Sequence, residues 1–423
     1  MFCRVPAVIL AISLTSFAAL GATRMTYDIK GAATPIEWAP TSFPLNYEVD
    51  SRVAQLSPNA VAMVDRAFAT WAAIPDANLR FENRGVAAGL NSTDHSDRVV
   101  ISVADDLLRG QGAVALTAYT YDTETGHMLD ADIRIDPSLF DGRVNAQQAL
   151  AHEVGHVLGL DHSAVISATM YPYVGSDGIP SELDSDDRIA MAAMYPRSDP
   201  AMFGATLQGR VTGDQGGIFA AQVVAVNEDG QPVGTVLTTA TGDFTISGIP
   251  PGRYQLYAEP LDGPVVVDSL QGTWRSARGA PFPTEFFGPP IDVESGKVYG
   301  NLLVNAAGAV TLNPKLIGAG PAGTTEVSLT TKPISVKPGE TVRLTIAGDG
   351  FTSGMTTFDV LNPAFQRIGD YEWWGGAVSA TYVIAPGIRG SSAVILVKSG
   401  RESATLTGAL RVYRAPKTRS VRQ

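Results

Sequence analysis

The chain has 423 residues, a net charge of −11 and a single cysteine. An acidic chain of this kind lacks the basic surface that nucleic-acid binding requires, and it cannot be a small scaffold held together by disulfides. Its length is sufficient for two to four domains, each stabilised by an ordinary hydrophobic core.

Residues 1–22 have the pattern of a secretory signal peptide. Arg4 gives a positive start, an apolar stretch runs from Val5 to Leu20, and small residues follow at the expected cleavage site. We therefore expect a secreted protein. The only cysteine, Cys3, lies inside this segment. No later stretch of sequence is long and apolar enough to be expected to span a bilayer.

Residues 23–200 are predicted to form an α+β domain. Ser57 followed by Pro58 is typical of a helix start. Apolar residues then recur at helical spacing, which predicts a helix face packed on a sheet: Val61, Val64, Phe68 and Trp71. The apolar run 99–103 predicts a buried strand.

The stretch from Val114 to Tyr121 alternates loosely between apolar and polar residues and is the best candidate for the edge strand of the sheet. A turn rich in carboxylates follows, between residues 122–126 and 129–133. Calcium prefers such clusters of oxygen ligands, so a calcium site is one hypothesis for this turn. The alternative is a polar hairpin that contacts only water.

Three of the five histidines lie in the eleven residues from His152 to His162. His152 and His156 are four residues apart, so on a helix they share one face and can bind a zinc ion from the same side. Asn145 is positioned to cap this helix, which we expect to run to Leu158.

The residues after the helix complete the predicted zinc site. Gly159 permits a positive φ angle, which ends the helix and lets His162 approach as the third ligand. With Met170 eight residues later, this spacing is the metzincin signature. Three neutral imidazoles leave zinc one open position for a water molecule. Glu153 follows the first ligand and is placed to accept the proton of that water.

Residues 40–197 resemble the matrixins, the matrix-metalloprotease group of the metzincins. The resemblance is carried by the zinc motif, by Ser163 directly after the third histidine, and by the acidic helix start 183–187 ahead of the apolar run 189–196. It implies a metalloendopeptidase in which Glu153 is the base and Met170 lies beneath the metal. The implied ligands of its one zinc ion are His152, His156 and His162.

In metzincins the substrate pairs with the edge strand beside the zinc through main-chain hydrogen bonds. The residues that we expect along this cleft are Ala115, Leu116, Thr117, Ala118, Pro172 and Tyr173. Tyr173 follows Pro172 directly, whereas matrixins usually have one residue between them, so the shape of the S1′ wall is not predicted. Only His95 and His127 remain for the second, structural zinc of many matrixins, which we do not expect here.

After residue 200 the sequence changes to short β-rich runs separated by glycine and proline turns, the pattern of β-sandwiches. Residues 201–309, with a Pro-Pro-Gly corner at 250–252, resemble a carboxypeptidase regulatory-like domain. Residues 310–423, which end in a basic tail, resemble an IPT/TIG-like domain in the stretch 337–351. Such sandwiches host many functions, so attachment to a surface or a glycan is a hypothesis for both.

The predicted function is a secreted zinc metalloendopeptidase that cleaves internal bonds of a protein or peptide substrate. One alternative is a secreted binding or adhesion protein with a weakly active or inactive metzincin domain, although a purely structural zinc site would not need Glu153. Another is a zinc hydrolase that acts on a non-protein amide. An exposed edge strand beside the zinc favours an extended peptide, whereas a closed pocket favours a small substrate.

Overall fold

The computed structural model describes residues 23–30, 32–90, 98–104, 112–175, 183–197, 204–277 and 281–413. The predicted signal peptide, His95 and the basic tail beyond residue 413 lie outside the described residues. Within these ranges, no helix has both the length and the apolar character needed to cross a membrane.

The N-terminal part of the chain, up to residue 197, combines helices with one mixed sheet. Its elements are β1 (Thr26–Ile29), β2 (Ala32–Pro35), β3 (Leu45–Asp50), α1 (Ser51–Leu56), α2 (Ala60–Ala72), β4 (Phe81–Ala87), β5 (Val99–Val103), β6 (Ala115–Tyr121), β7 (Met128–Ile135), α3 (Ala146–Val157) and α4 (Ser185–Met194). The sheet has the order β4-β3-β5-β7-β6, in which β6 alone runs antiparallel to its neighbour. The predicted edge strand is confirmed, because β6 is the last strand of this sheet.

Helix α2 packs its apolar face into the core, as predicted. Val64, Phe68 and Trp71 are each at most 1% exposed. The ring of Phe68 stacks on that of Tyr47 in β3, with centroids 4.1 Å apart. This contact joins the helix to the sheet and contributes the extra stabilisation of an aromatic pair.

The predicted start of α2 was wrong by a few residues. Ser57 is the C-cap of the short helix α1, with extended backbone angles, and α2 begins at Ala60 after Asn59. The physical reason is Pro58, whose ring pushes the residue before it out of the helical region. The proline therefore separates two helices.

The next part of the chain is a β-sandwich, called here the first sandwich. Its strands are β8 (Ala205–Gly213), β9 (Gly216–Gly217), β10 (Gln222–Asn227), β11 (Pro232–Leu237), β12 (Asp243–Ile249), β13 (Gly252–Glu259), β14 (Glu285–Phe286), β15 (Ile291–Val293) and β16 (Val298–Asn305). One sheet has the order β11-β10-β13-β14 with β15 also paired to β13, and the other has β12-β8-β16 with β9 on β8. Apolar side chains from the two sheets form one buried core.

A second sandwich completes the described chain. Its strands are β17 (Asn313–Pro321), β18 (Ile334–Val336), β19 (Thr341–Asp349), β20 (Thr356–Val360), β21 (Phe365–Trp374), β22 (Ala377–Ile384), β23 (Ser392–Ser399) and β24 (Glu402–Val412). They form two four-stranded sheets, β17-β19-β22-β21 and β18-β24-β23-β20. The predicted fold class, an α+β domain followed by two β-sandwiches, is confirmed.

A long connection between β13 and β14 leaves the first sandwich and reaches the N-terminal part. The stretch 261–277 of this connection is called here the 261–277 loop and contains the 3-10 turns Val267–Ser269 and Gly272–Ser276. Leu270 and Trp274 are buried in a small apolar cluster that includes Leu237 of β11. The loop is therefore anchored on its own sandwich while its other side faces the zinc motif.

Candidate metal centre

Helix α3 positions the first two histidines of the motif. The side chain of Asn145 accepts a hydrogen bond from a backbone N–H of the first turn, and Leu158 is the C-cap, both as predicted. Within the helix, Gly155 packs directly against Met170. A Cβ on Gly155 would lie 2.2 Å from the sulfur of Met170, so the methionine beneath the site requires a glycine there.

The turn after the helix brings the third histidine back. Gly159 has a φ of 95°, and a Cβ on it would lie 2.4 Å from the carbonyl oxygen of Ile36. Both observations require glycine. Ligand nitrogens of the three histidines then lie within 4.8 Å of one another, and these residues could hold a metal ion: His152, His156 and His162.

Each of the three imidazoles has its Nδ1 atom against a main-chain carbonyl. The acceptors are Thr169 for His152, Leu160 for His156 and Ser269 for His162, at 2.8, 2.8 and 2.5 Å. Because a carbonyl oxygen can only accept, Nδ1 carries the proton and Nε2 keeps a free lone pair in each ring. Three such nitrogens are the donor set that zinc prefers.

The electrostatics of the site also favour a cation bound by neutral ligands. Burial lowers the pKa of His152 to about 3, and it lowers the pKa of His156 and His162 as well. All three imidazoles are therefore neutral at physiological pH and available as ligands. The residues present fit zinc in number, type and protonation.

Glu153 lies between the helix and the edge strand. Its carboxylate oxygen Oε2 accepts a hydrogen bond of 2.6 Å from Thr117 Oγ1 on β6, and the same hydroxyl lies 3.1 Å from the Glu153 carbonyl oxygen. Burial raises the pKa of Glu153 to about 7, and the hydrogen bond from Thr117 opposes this shift. Such a carboxyl group can exchange a proton near neutral pH.

The six residues predicted along the cleft differ in their surroundings. Thr117 contacts the predicted base directly, Leu116 beside it is 40% exposed, and Ala115 is buried. Tyr173 is exposed, and its ring lies 5.5 Å from that of Tyr171. The role of these six residues along a substrate cleft stays a prediction, and residues 176–182, which follow Tyr173 closely, lie outside the described residues.

Comparison with known proteins identifies two parts of the chain. Residues 37–196 match the matrixin family of peptidases, and residues 206–264 match the carboxypeptidase regulatory-like domain. Residues 37–196 are a matrixin domain. Both of these resemblances are thereby confirmed, whereas the IPT/TIG-like resemblance and the domain limits stay predictions.

Curated relatives that match part of the chain include proteins named as metalloendoproteinases. The chain is 27% identical over 166 residues to metalloendoproteinase 4-MMP of Arabidopsis thaliana, covering 37% of this chain and 46% of the relative. It is 28% identical over 165 residues to the hatching enzyme of Paracentrotus lividus, covering 38% and 26%. It is 53% identical over 45 residues to karilysin of Tannerella forsythia, covering 11% and 9%. The chain thus spans less than half the length of these three relatives.

Sequence reasoning missed the aromatic donors that hold the end of α3 in the matrixin domain. Helix ends leave carbonyl groups without intrahelical partners. Here, the carbonyls of Val157 and Leu158 at the C-terminal end of α3 each accept a hydrogen bond of 2.7 Å, from Trp38 and Tyr195 respectively. In the middle of the helix, the carbonyl of Ala151 accepts one of 2.8 Å from Trp71. No local signal marks such contacts, since each depends on the tertiary fold.

Sequence reasoning also missed how the Met-turn is held. Asp187, in the first turn of α4, accepts hydrogen bonds from the backbone N–H groups of Thr169 and Met170 at 2.7 and 3.3 Å. Thr169 in turn provides the carbonyl that binds His152. The signal was available, because 183–187 contains more carboxylates than the predicted helix start requires.

The carboxylate-rich turn after β6 has local hydrogen bonds. Asp122 accepts from the backbone N–H groups of Glu124 and Thr125 at 2.6 and 3.1 Å. Such an arrangement stabilises a turn without an ion. The calcium hypothesis stays a prediction.

Proposed function

We propose that this protein is a secreted zinc metalloendopeptidase that cleaves internal peptide bonds. The observation that carries the proposal is the combination of three neutral imidazoles with free Nε2 atoms and a buried glutamate held by the neighbouring edge strand. A site that only bound zinc would have no use for the glutamate. The matrixin domain and the relatives named as metalloendoproteinases support the same activity.

The proposed mechanism assigns one task to each group. The Nε2 atoms of the three histidines would hold the zinc ion, which would polarise the scissile carbonyl and lower the pKa of a water molecule. Glu153 accepts the proton of the attacking water and then passes it to the leaving amine. The Thr117 hydroxyl holds Oε2 of that carboxylate by a hydrogen bond. This leaves Oε1 to accept the proton and to release it.

The proposed substrate is an extended polypeptide. Strand β6 is the last strand of its sheet, and Leu116 on it is 40% exposed beside the Thr117–Glu153 contact. A peptide added to such an edge is held by main-chain hydrogen bonds whatever its sequence. This arrangement favours a peptide over a small amide, which would need a closed pocket.

The test measures zinc content and cleavage of a peptide library for the full chain, for Glu153→Gln and for Glu124→Gln. Glu124 is an exposed glutamate in the turn after β6 and serves as the matched control. We expect one zinc per chain in all three proteins. Turnover should fall on the order of 100-fold or more in Glu153→Gln alone. The proposal is wrong if wild type binds zinc and cleaves nothing, or if Glu153→Gln cleaves as fast as wild type.

A further inference from the structure

The three histidines of the metal centre differ in where their hydrogen-bond acceptors come from. Thr169 and Leu160, which accept from His152 and His156, belong to the matrixin domain. Ser269, which accepts from His162 at 2.5 Å, belongs to the 261–277 loop of the first sandwich. A ligating histidine is oriented by the group that binds its other nitrogen. The third ligand is therefore oriented from outside the matrixin domain.

A second contact holds the loop against the same ligand. The buried carboxylate of Asp161 accepts a hydrogen bond of 2.7 Å from the backbone N–H of Gln271 in the loop. Its other oxygen accepts one of 2.7 Å from the backbone N–H of His162. Asp161 thus links the loop to the main chain of the third ligand, as Ser269 links it to the ring. The two contacts thus hold both the backbone N–H and the imidazole ring of His162.

The N-terminal segment, residues 23–26, also contacts the 261–277 loop and Asp161. Trp274 in the loop donates its indole N–H to the carbonyl of Arg24 at 3.0 Å. Thr23 accepts a backbone hydrogen bond from Asp161 at 2.8 Å. At Gly272 the loop passes so close to this segment that a Cβ would lie 2.1 Å from the carbonyl oxygen of Thr26. Any displacement of the loop would therefore alter the packing of Gly272 against Thr26.

We propose that the 261–277 loop is the positioning element for the third zinc ligand, so that the first sandwich completes the metal centre of the matrixin domain. The Ser269 carbonyl fixes the rotation and the tautomer of the His162 ring, with Nε2 directed to the ion. The proposal rests on the zinc site proposed above. Loss of such an outer partner weakens metal binding or activity by about 10–100-fold.

The experiment compares two glycine substitutions in the same loop of the full chain. Gly272→Ala places a methyl group against the Thr26 carbonyl at a φ of 55°, so the loop must move away from the matrixin domain. Gly263→Ala is the matched control, since the closest atom its methyl group meets is 3.9 Å away. Neither residue contacts a proposed ligand or the base. The readouts are the zinc dissociation constant, from competition with a chelator, and the absorption spectrum of the cobalt-substituted protein.

We expect Gly272→Ala to bind zinc at least about tenfold more weakly and to change the cobalt spectrum, which reports ligand geometry. Gly263→Ala should match wild type in both. A further variant, in which Val267–Gln271 is replaced by two glycines, removes the Ser269 carbonyl altogether and should give the same loss. Wild-type zinc affinity and an unchanged cobalt spectrum in Gly272→Ala and in the shortened loop would overturn the proposal.

A measurement on wild type alone does not depend on how the variants fold. If the loop orients the ligand, zinc must stabilise the loop by the same coupling free energy. We expect zinc to slow amide hydrogen exchange within residues 261–277, with no change in residues 365–374 of the second sandwich. Exchange in the loop that is indifferent to zinc contradicts the proposal. None of these readouts requires peptide cleavage, so an inactive protein would refute the proposed function and leave this inference intact.

Discussion

The two halves of the metal centre are built differently. His152 and His156 lie on one helix, and their acceptors follow within 17 and 4 residues in the sequence. His162 depends on a carbonyl that lies 107 residues further along the chain, in another domain. The first half is a local structure, whereas the second half forms only when the first sandwich packs on the matrixin domain.

Because of this difference, the third ligand is held less independently than the first two. A helix with its cap and buried face holds two ligands in place whenever the matrixin core is folded. The third ligand responds in addition to anything that loosens the loop, because ordering a surface segment has an entropic cost that packing must offset. Zinc affinity should therefore report on the contact between the two domains.

The largest effect is expected in the local half of the site. His152→Ala removes a ligand and should weaken zinc binding on the order of 100-fold or more, since binding to such sites is worth many kcal/mol shared among few ligands. His127→Ala is the control, because His127 lies outside the histidine cluster. Chelator competition measures both. Equal zinc affinity of His152→Ala and wild type would remove His152 from the ligand set.

A double-substitution cycle sharpens the same comparison. Gly272→Ala should weaken zinc binding further in a His152→Ala background, where His162 is still a ligand. It should have no further effect in a His162→Ala background, because the group that the loop orients is gone. Coupling energies of this kind identify residues that act through one another. An effect of equal size in both backgrounds would mean that the loop acts elsewhere.

A smaller effect is expected at the edge strand. Thr117→Val keeps the shape of the side chain but removes the hydroxyl that donates to Glu153. A hydrogen bond to a charged group is worth about 1.5–3 kcal/mol, so turnover should fall about 10- to 100-fold while zinc stays bound. Thr120→Val on the same strand is the control, as its buried hydroxyl has no hydrogen-bond partner among the described residues. Peptidase rates that are equal in the two variants would exclude the positioning role of Thr117.

The last effect is expected on stability alone, at the base of the loop. Glu259 ends β13 and accepts hydrogen bonds from Gln222, Thr405 and Thr407, which ties the first sandwich to the second. Burial raises the pKa of Glu259 from 4.5 to about 7. Below pH 4.5 the carboxyl is protonated in both the folded and the unfolded chain, so its stabilising contribution is fully present. That contribution is lost as the pH rises through 7, by about 3 kcal/mol at most.

Glu259→Gln stays neutral and should escape this loss. Its amide oxygen can still accept from Gln222 and Thr407, which both donate to Oε1 of the glutamate, and the Thr405 hydroxyl can rotate to accept from the new N–H group. We expect the melting temperature of wild type to fall more between pH 5 and pH 8.5 than that of Glu259→Gln. Glu294→Gln, at an exposed position of the same sandwich, should behave like wild type. If the melting temperatures of wild type and Glu259→Gln fell by the same amount over this pH range, Glu259 would not be the source of the pH dependence.

The local half of the site could be predicted from the sequence. The spacing of His152 and His156, the cap at Asn145 and the positive φ of Gly159 all follow from short-range geometry. The alternation in Val114 to Tyr121 was also sufficient to predict the edge strand. Such features are readable because period, capping and turn chemistry act over a few residues.

The contacts of His162 with the loop, and those that hold the end of α3, could be found only from the tertiary structure. Ser269 acts through its main-chain carbonyl, which every residue has, so nothing in its side chain indicates a role at the metal. Trp38 and Tyr195 donate from distant segments to carbonyls at the end of α3. Pro58 placed the start of α2 at Ala60, after the N-cap that the sequence predicted at Ser57. Contacts between domains leave no periodic pattern in a sequence.

The most direct test is an anomalous difference map at the zinc edge from a crystal of the zinc-loaded full chain. We predict one peak bonded by the Nε2 atoms of His152, His156 and His162. We also predict that the Ser269 carbonyl lies within about 3.2 Å of Nδ1 of His162. A peak elsewhere, or a His162 ring turned away from Ser269 while zinc is bound, would contradict a metal centre completed by the first sandwich.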